Sequence, residues 1–260
     1  MRRVAVVVPC FNEERRLDVP AFIDFLELGP IGPDGAVAVE FVFVDDGSTD
    51  GTRRVLEDIR GKRPSAVRVV EQRPNRGKAE AVRRGILAAL ERAPYAVGFW
   101  DADLATPLSE IAEFVAVLAQ HPEVDVVVGS RVKLMGRTIE RRPWRHYLGR
   151  MFATAASLAL ALPVYDTQCG AKLFRVTPAL ARVFDEPFLA RWVFDVELLA
   201  RFLAEHPGGP ADAERSIYEL PLRTWIDVHG SKLTASDFAK AAVDLAMIRL
   251  RYPRQRPSRA

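Results

Sequence analysis

Five short apolar runs rich in β-branched residues, at 4–8, 40–44, 67–70, 97–100 and 124–128, alternate with stretches whose apolar residues recur at helical spacing. No other feature constrains the fold as strongly. The alternation predicts strands joined by helices at 19–28, 52–60, 78–92 and 108–120, with Ser109 and Thr49 placed as caps. Strands this uniformly apolar are buried on both faces, so the fold class is α/β: a mostly parallel central sheet with helices on both faces. In such sheets ligands collect at the carboxyl ends of the strands, which is where the polar motifs fall.

Beyond residue 130 the pattern changes. A basic stretch leads into an apolar helix at 144–162, then a Gly-containing segment around Gly170, a helix at 195–204, a strand at 217–222 and a last helix at 236–249. The Pro- and Arg-rich tail 252–260 is expected to be disordered or bound to an anionic surface. At 260 residues and 49% hydrophobic, the chain can bury a full core, which favours one principal unit over 1–235 followed by a C-terminal helix and basic tail over 236–260.

The net charge of +3 is too small to mark a nucleic-acid binder, and no nucleic acid is expected as a partner. Its distribution says more. Between Arg131 and Arg150 seven Lys or Arg residues face the single acid Glu140, and from Arg249 onward there are five Arg and no acid, so both segments read as anion-facing surfaces. The apolar run from Met151 to Val164 falls short of the ~18 residues that cross a bilayer and is either a core helix or an interfacial one. Trp144, Tyr147 and the arginines before it fit the second reading, with aromatics and Arg at headgroup level. Cys10 and Cys169 are too few and too far apart for a disulfide framework or a zinc site, which implies reduced thiols and a cytoplasmic location; the interfacial reading of the basic and apolar segments would put the chain at the inner face of a membrane. The N-terminal apolar run is too short for a signal peptide.

Four polar loops carry the chemistry. The strand at 97–100 runs into Asp101, Ala102 and Asp103; residues two apart in extended chain point the same way, so both carboxylates can face one point. Such a pair repels itself unless a cation sits between, and oxygen ligands with open positions suit Mg2+ or Mn2+ shared with phosphate. A solvated turn is the plain alternative. Asp45, Asp46 and Gly47 end the second strand, where Gly lets backbone approach a ligand and Asp can accept from a base edge; a capping turn through Ser48 or Asp50 is the alternative. Pro9 to Glu14 follow the first strand with no glycine, which argues against a dinucleotide-binding GxGxxG, and no P-loop occurs. Asn75-Arg76-Gly77-Lys78 opens a helix, where the N-terminus and Lys78 both favour phosphate.

In order and spacing, VVPCFNEE, VDDGSTDGT, NRGKAEAV and DAD resemble the family-2 glycosyltransferases of GT-A fold, with its Rossmann-like sheet. GSR at 129–131, DTQCGAKLF at 166–174, RWVFDVELL at 191–199 and HGSKL at 229–233 resemble the dolichyl-phosphate glucosyltransferase branch and, more loosely, the mannose synthases. The resemblance implies a nucleotide-sugar half over 1–130 and an acceptor half over 131–235. It puts Pro9, Phe11, Glu13 and Asp46 around the base and ribose, with Asp45 the alternate, and Lys78, Asp101 and Ala102 beside them on the donor. Asp101 and Asp103 would hold metal and diphosphate, Lys232 would close over the diphosphate, and Arg131, with Arg145 nearby, would meet the acceptor phosphate. Mannose synthases of this type carry a Gln ligand two residues after DAD, where this chain has Ala105, so the remaining coordination is open; His229 is one candidate, an ordinary surface His the other.

The implied reaction moves a hexose, glucose from UDP-glucose on the closer branch or mannose from GDP-mannose, to a polyprenyl phosphate with inversion. A hydroxyl acceptor would need a general base, for which Asp166, Asp195 and Glu197 are candidates; a phosphate monoester, largely ionised at neutral pH, would not. Transfer to a soluble hydroxyl is the main rival. Haloacid-dehalogenase-like phosphatases use DxDxT after a strand, but here Thr106 is displaced by one. A non-enzymatic membrane adaptor would explain the basic runs and leave Asp101 and Asp103 idle.

Overall fold

The structure, a computed structural model, describes residues 1–32, 35–140, 143–227 and 235–253; within 140–150 and 235–239 only the backbone is described. In chain order the elements are β1 (Arg2–Cys10), α1 (Val19–Glu27), β2 (Val37–Asp45), α2 (Thr52–Lys62), β3 (Val67–Glu71), α3 (Lys78–Leu90), β4 (Ala96–Trp100), α4 (Glu110–Gln120) and β5 (Val126–Ser130). The second half adds β6 (Thr138–Glu140), α5 (Pro143–Leu160), β7 (Ala171–Arg175), α6 (Pro178–Val183), α7 (Phe194–Glu205), α8 (Gly209–Arg215), β8 (Ile217–Pro221), β9 (Thr224–Ile226) and α9 (Ala235–Arg251).

Seven strands form one sheet in the order β3-β2-β1-β4-β7-β5-β8, and β6 pairs with β9 in a small parallel ribbon. All pairings in the large sheet are parallel except those of β7, which runs antiparallel between β4 and β5. The sequence pattern predicts no strand there, because Lys172 interrupts the apolar run; the lysine is nevertheless fully buried.

Strand alternation assigns the two faces. Val4, Val6 and Val8 pack with Phe22, Leu56 and Phe114 on one side, while Ala5 and Val7 pack with Val82, Ile86 and Phe194 on the other. Phe22 meets Phe41 and Phe43 edge-on at 5.1 and 5.0 Å, and each ring's burial is worth about 1.5–3 kcal/mol. Helix α9 buries Ala241, Leu245 and Ile248 in the second of these clusters, so the C-terminal helix is part of the body. The caps differ from the sequence expectation. Ser109 stands at the N-cap of α4 but makes no capping bond, and α2 is capped at Gly51, not Thr49, with the Asp50 carboxylate accepting from Thr52 N at 3.0 Å.

The strand order turns back beside β1, with β2 and β3 on one side and β4 on the other. Loops diverge at such a point and leave a crevice at the carboxyl ends of β1 and β4.

Candidate active site

The floor of that crevice is set by Asp46. Its Oδ1 accepts from Gln72 Nε2 at 2.5 Å and Arg76 N at 2.8 Å, its Oδ2 from Gly77 N at 2.8 Å, and its carbonyl from Asn75 Nδ2 at 2.9 Å. One buried carboxylate thus fastens the turn before α3 to the end of β2. Gly47 is required beside it: its φ is +70°, and a Cβ there would lie 2.7 Å from Asn75 N. Asp45, fully buried, instead accepts from Ser48 N at 3.0 Å and does not line the cavity.

Asp101 and Asp103 reach one cavity, but by a turn and not by strand alternation. The strand ends at Trp100, Leu104 N donates to Asp101 O at 3.2 Å, and Asp103 Oδ1 accepts from Ala105 N at 3.1 Å. Leu104 sits at φ +51°, an uncommon conformation for a bulky side chain, and Asn12 at φ +55° in the loop across the crevice. Backbone strain of this kind clusters where a loop must present functional groups.

The cavity, about 220 Å³, is lined by Pro9, Cys10, Phe11, Glu13, Arg16, Asp46, Lys78, Ala81, Asp101, Ala102 and Asp103. Among the described residues, four carboxylates there face two cations. Burial and the neighbouring Asp101 charge push the Asp103 carboxyl above its ordinary pKa. Burial raises Glu13 as well; Arg16 opposes and Asp103 reinforces that shift. Lys78, the first residue of α3, places Nζ 2.5 Å from Asp101 Oδ1. Burial works to lower its pKa, but the Asp101 and Asp195 carboxylates outweigh it and the net shift is upward.

The charged residues of the second half are engaged differently. Arg131 grips Asp166 in a two-pronged pair, Nε to Oδ2 at 2.6 Å and Nη2 to Oδ1 at 2.7 Å, and lies 5.3 Å from the Trp225 ring centre. Although burial disfavours its charge, Asp166 more than compensates and raises the Arg131 pKa. Lys172 Nζ donates to Asp195 Oδ1 at 2.6 Å and to Cys169 O at 2.7 Å. Glu197 binds Arg201 Nη2 at 2.7 Å and Ala190 N at 2.9 Å, and Arg201 in turn caps the carbonyls of Glu186 and Pro187. Asp166, Asp195 and Glu197 are therefore each committed to a cation.

Of the residues singled out from the sequence, Pro9, Phe11, Glu13, Asp46, Lys78, Asp101, Ala102 and Asp103 come together in one cavity. Lys232 and His229 lie outside the described residues, as does the Arg145 side chain. Gly170 was not singled out. Its carbonyl accepts from Asp101 N at 3.0 Å, and a Cβ on it would lie 1.9 Å from Asp101 Oδ2, so this glycine leaves the space the carboxylate fills. Arg16, one turn beyond Glu13, is the second omission, for no motif marked it.

Residues 5–180 match the family description Glycosyl transferase family 2. The chain is 36% identical to a dolichyl-phosphate beta-glucosyltransferase of Drosophila melanogaster, covering 96% of this chain and 75% of the relative, and 33% identical to the human protein of that name, covering 96% and 76%. Among solved structures it is similar to the glucosyl-3-phosphoglycerate synthase of Mycobacterium tuberculosis in complex with Mn2+ and UDP-glucose, with a TM-score of 0.64 at 20% identity over 98% of this chain and 80% of that one. The fold is the GT-A fold. The chain belongs to glycosyl transferase family 2, in the branch of the dolichyl-phosphate beta-glucosyltransferases.

Proposed function

We propose that the protein transfers glucose from UDP-glucose to a polyprenyl phosphate of the dolichyl type, with inversion, using a divalent ion at Asp101 and Asp103. One observation carries the acceptor assignment: the second-half carboxylates that could serve as general base are each neutralised by Arg131, Lys172 or Arg201. A hydroxyl acceptor needs such a base, whereas a phosphate monoester arrives ionised. The names of the relatives support the same acceptor.

The donor set fits a hard divalent ion. Asp101 and Asp103 offer oxygen ligands in a cavity where the described carboxylates outnumber the cations, and the charge on Asp101 disfavours ionisation of the buried Asp103, which a cation between them would relieve. Among the described residues no three His, Cys, Asp or Glu side chains converge to cage an ion alone, which leaves coordination positions for phosphate and water. When bound, the ion supplies charge stabilisation to the departing diphosphate. The chain's own part is positional. Pro9 and Phe11 wall the base side, Asp46 holds the turn that presents Lys78, and Lys78 stabilises the negative charge that develops on the leaving group.

The half over 1–130 holds the donor in this reading, and 131–235 the acceptor, at the cytoplasmic face of a membrane. No helix of the described residues is long and apolar enough to cross a bilayer. Met151 and Leu158 on α5 and Val243, Met247 and Leu250 on α9 are exposed, and α9 ends in the exposed Arg249 and Arg251, which suits contact with an anionic lipid surface. The test offers UDP-glucose or GDP-mannose with Mg2+ or Mn2+, with and without a short polyprenyl phosphate. Expected is a base-stable, β-linked lipid phosphoglucose formed only with both metal and lipid phosphate; transfer to a soluble hydroxyl at the same rate would overturn the acceptor assignment, and an α-linked product the inversion.

A further inference from the structure

We propose that Lys78 is an internal stand-in for the divalent ion, holding Asp101 while the donor is absent and leaving it for the diphosphate when the donor arrives. The inference rests on the metal reading above and concerns what precedes metal loading. Lys78 Nζ lies 2.5 Å from Asp101 Oδ1, so an ammonium occupies one side of a carboxylate that the ion must share. The other oxygen, Oδ2, fills the space beside Gly170 that a side chain there would take.

The two ends of Lys78 differ in mobility. Its backbone follows directly on the Arg76–Gly77 turn that Asp46 clamps, while its side chain is 40% exposed with four rotatable bonds between anchor and charge. The ammonium can therefore change partner without any movement of α3. A diphosphate in this cavity offers Lys78 denser negative charge than one carboxylate does. Departure of Lys78 then uncovers Asp101 for the ion. Metal and nucleotide bind with positive coupling as a result, beyond what direct phosphate–metal contact provides, and linkage makes the effect equal in both directions. Free metal in the absence of nucleotide is held weakly, because it must displace a fixed positive charge.

The experiment measures Mn2+ binding by the full chain, by calorimetry and by the EPR signal of the free ion, with and without UDP. Lys78→Met keeps length and loses charge; Lys78→Arg keeps charge. Expected is that Lys78→Met binds Mn2+ alone about tenfold more tightly than wild type and that UDP enhances Mn2+ affinity less than it does in wild type, while Lys78→Arg stays near wild type. A Lys78→Met protein whose affinity for Mn2+ alone is unchanged or weaker, with only UDP affinity reduced, would make Lys78 a simple phosphate ligand and overturn the proposal. If neither wild type nor variant binds Mn2+ even with UDP present, the metal site itself is wrong, which is a different signature. A thermal melt of each variant confirms that the comparison is between folded proteins.

Discussion

The edge of the sheet proposed to hold the donor, the donor edge for short, and the second half of the sheet carry charge in opposite ways. At the ends of β1, β2 and β4 four carboxylates and two cations line one open cavity. Around β7 and α7 the charges are buried in matched pairs: Lys172 with Asp195, Glu197 with Arg201, Arg131 with Asp166. Apart from Asp46, which is spent on the turn before α3, the charges of the first region are within a ligand's reach, the Lys78–Asp101 pair being partly exposed, whereas those of the second are already spent on the fold. Substitutions at the first region should cost activity with little stability, and at the second the reverse.

The largest expected effect tests the first half of that contrast. Asp101→Ala and Asp103→Ala should each lower glucosyl transfer about a thousandfold, since both the cation's grip and the diphosphate's charge neutralisation are lost. Their melting temperatures should remain within a few degrees of wild type, because both side chains line an open cavity and the Lys78 ammonium that Asp101→Ala would release is 40% exposed and can turn to water. A collapse in stability with residual activity preserved would erase the distinction between the regions.

Asp195→Ala tests the second half. It leaves the Lys172 ammonium, which has no exposed surface, without its carboxylate; breaking such a pair costs about 3–5 kcal/mol. At ~2–4 °C per kcal/mol for a chain of this size, the melting temperature should fall by about 10 °C. Adding Lys172→Met should recover much of the loss, because it removes the stranded charge. Asp195→Ala at native stability but with kcat alone reduced would instead return Asp195 to the reacting groups.

How much of this was legible in the sequence follows the same division. The donor edge was readable because parallel-strand topology forces successive strand ends onto one side, so DAD, VDDG and NRGK had to be neighbours wherever the helices lay. Even there the reason for convergence differed, a turn through Leu104 and not strand alternation. In the second half the helices at 144–162, 195–204 and 236–249 and the strand at 217–222 were readable, but the contacts were not, because they join residues far apart in the chain, such as Lys172 with Asp195 and Tyr165 N with Glu219. A buried lysine within β7 contradicts hydrophobic patterning, and only the distant Asp195 explains it. Gly170 belongs with these: its partner Asp101 is on another strand, and nothing in the spacing connects them.

Gly170 is one place where the two regions touch, as Lys78 and the Asp195 charge are another, and its substitution sharpens the comparison. Gly170→Ala lies in the loop before β7 yet should act at the donor edge, because the new methyl would lie 1.9 Å from Asp101 Oδ2 and push that carboxylate out of position. A misplacement of about 1 Å costs about a hundredfold in rate. Overpacking adds about 1–3 kcal/mol of destabilisation. The expected signature is thus a lower kcat together with weakened Mn2+ affinity and a modest fall in melting temperature. Equal Mn2+ affinity in wild type and Gly170→Ala would separate the loop from the pair proposed to hold the metal.

The smallest effect concerns the cysteines, one in each region. Cys10 ends β1 beside the donor cavity, and Cys169 precedes β7; both thiols are free and buried. Burial, reinforced by Asp166, raises Cys169 from the ordinary 9.0 to about 11, and burial with Glu13 and Asp45 raises Cys10 in the same direction. A group whose folded pKa is raised stabilises the fold below its unfolded value and loses that contribution as pH climbs through the folded one, so for Cys169 the loss falls between about pH 9 and 11. The thiolate is the reacting form and is scarce in the native state at pH 8, so a thiol-reactive dye should label neither cysteine on the timescale that labels the urea-unfolded chain. The donor cavity offers a finer comparison. Cys10 lies on its lining and Cys169 does not, so if breathing of the open region exposes any thiol, Cys10 should label first and UDP with Mn2+ should slow it. Labelling of Cys169 ahead of Cys10 would mean that the paired-charge region opens more readily than the donor edge, which reverses the assignment of rigidity on which the contrast between them depends.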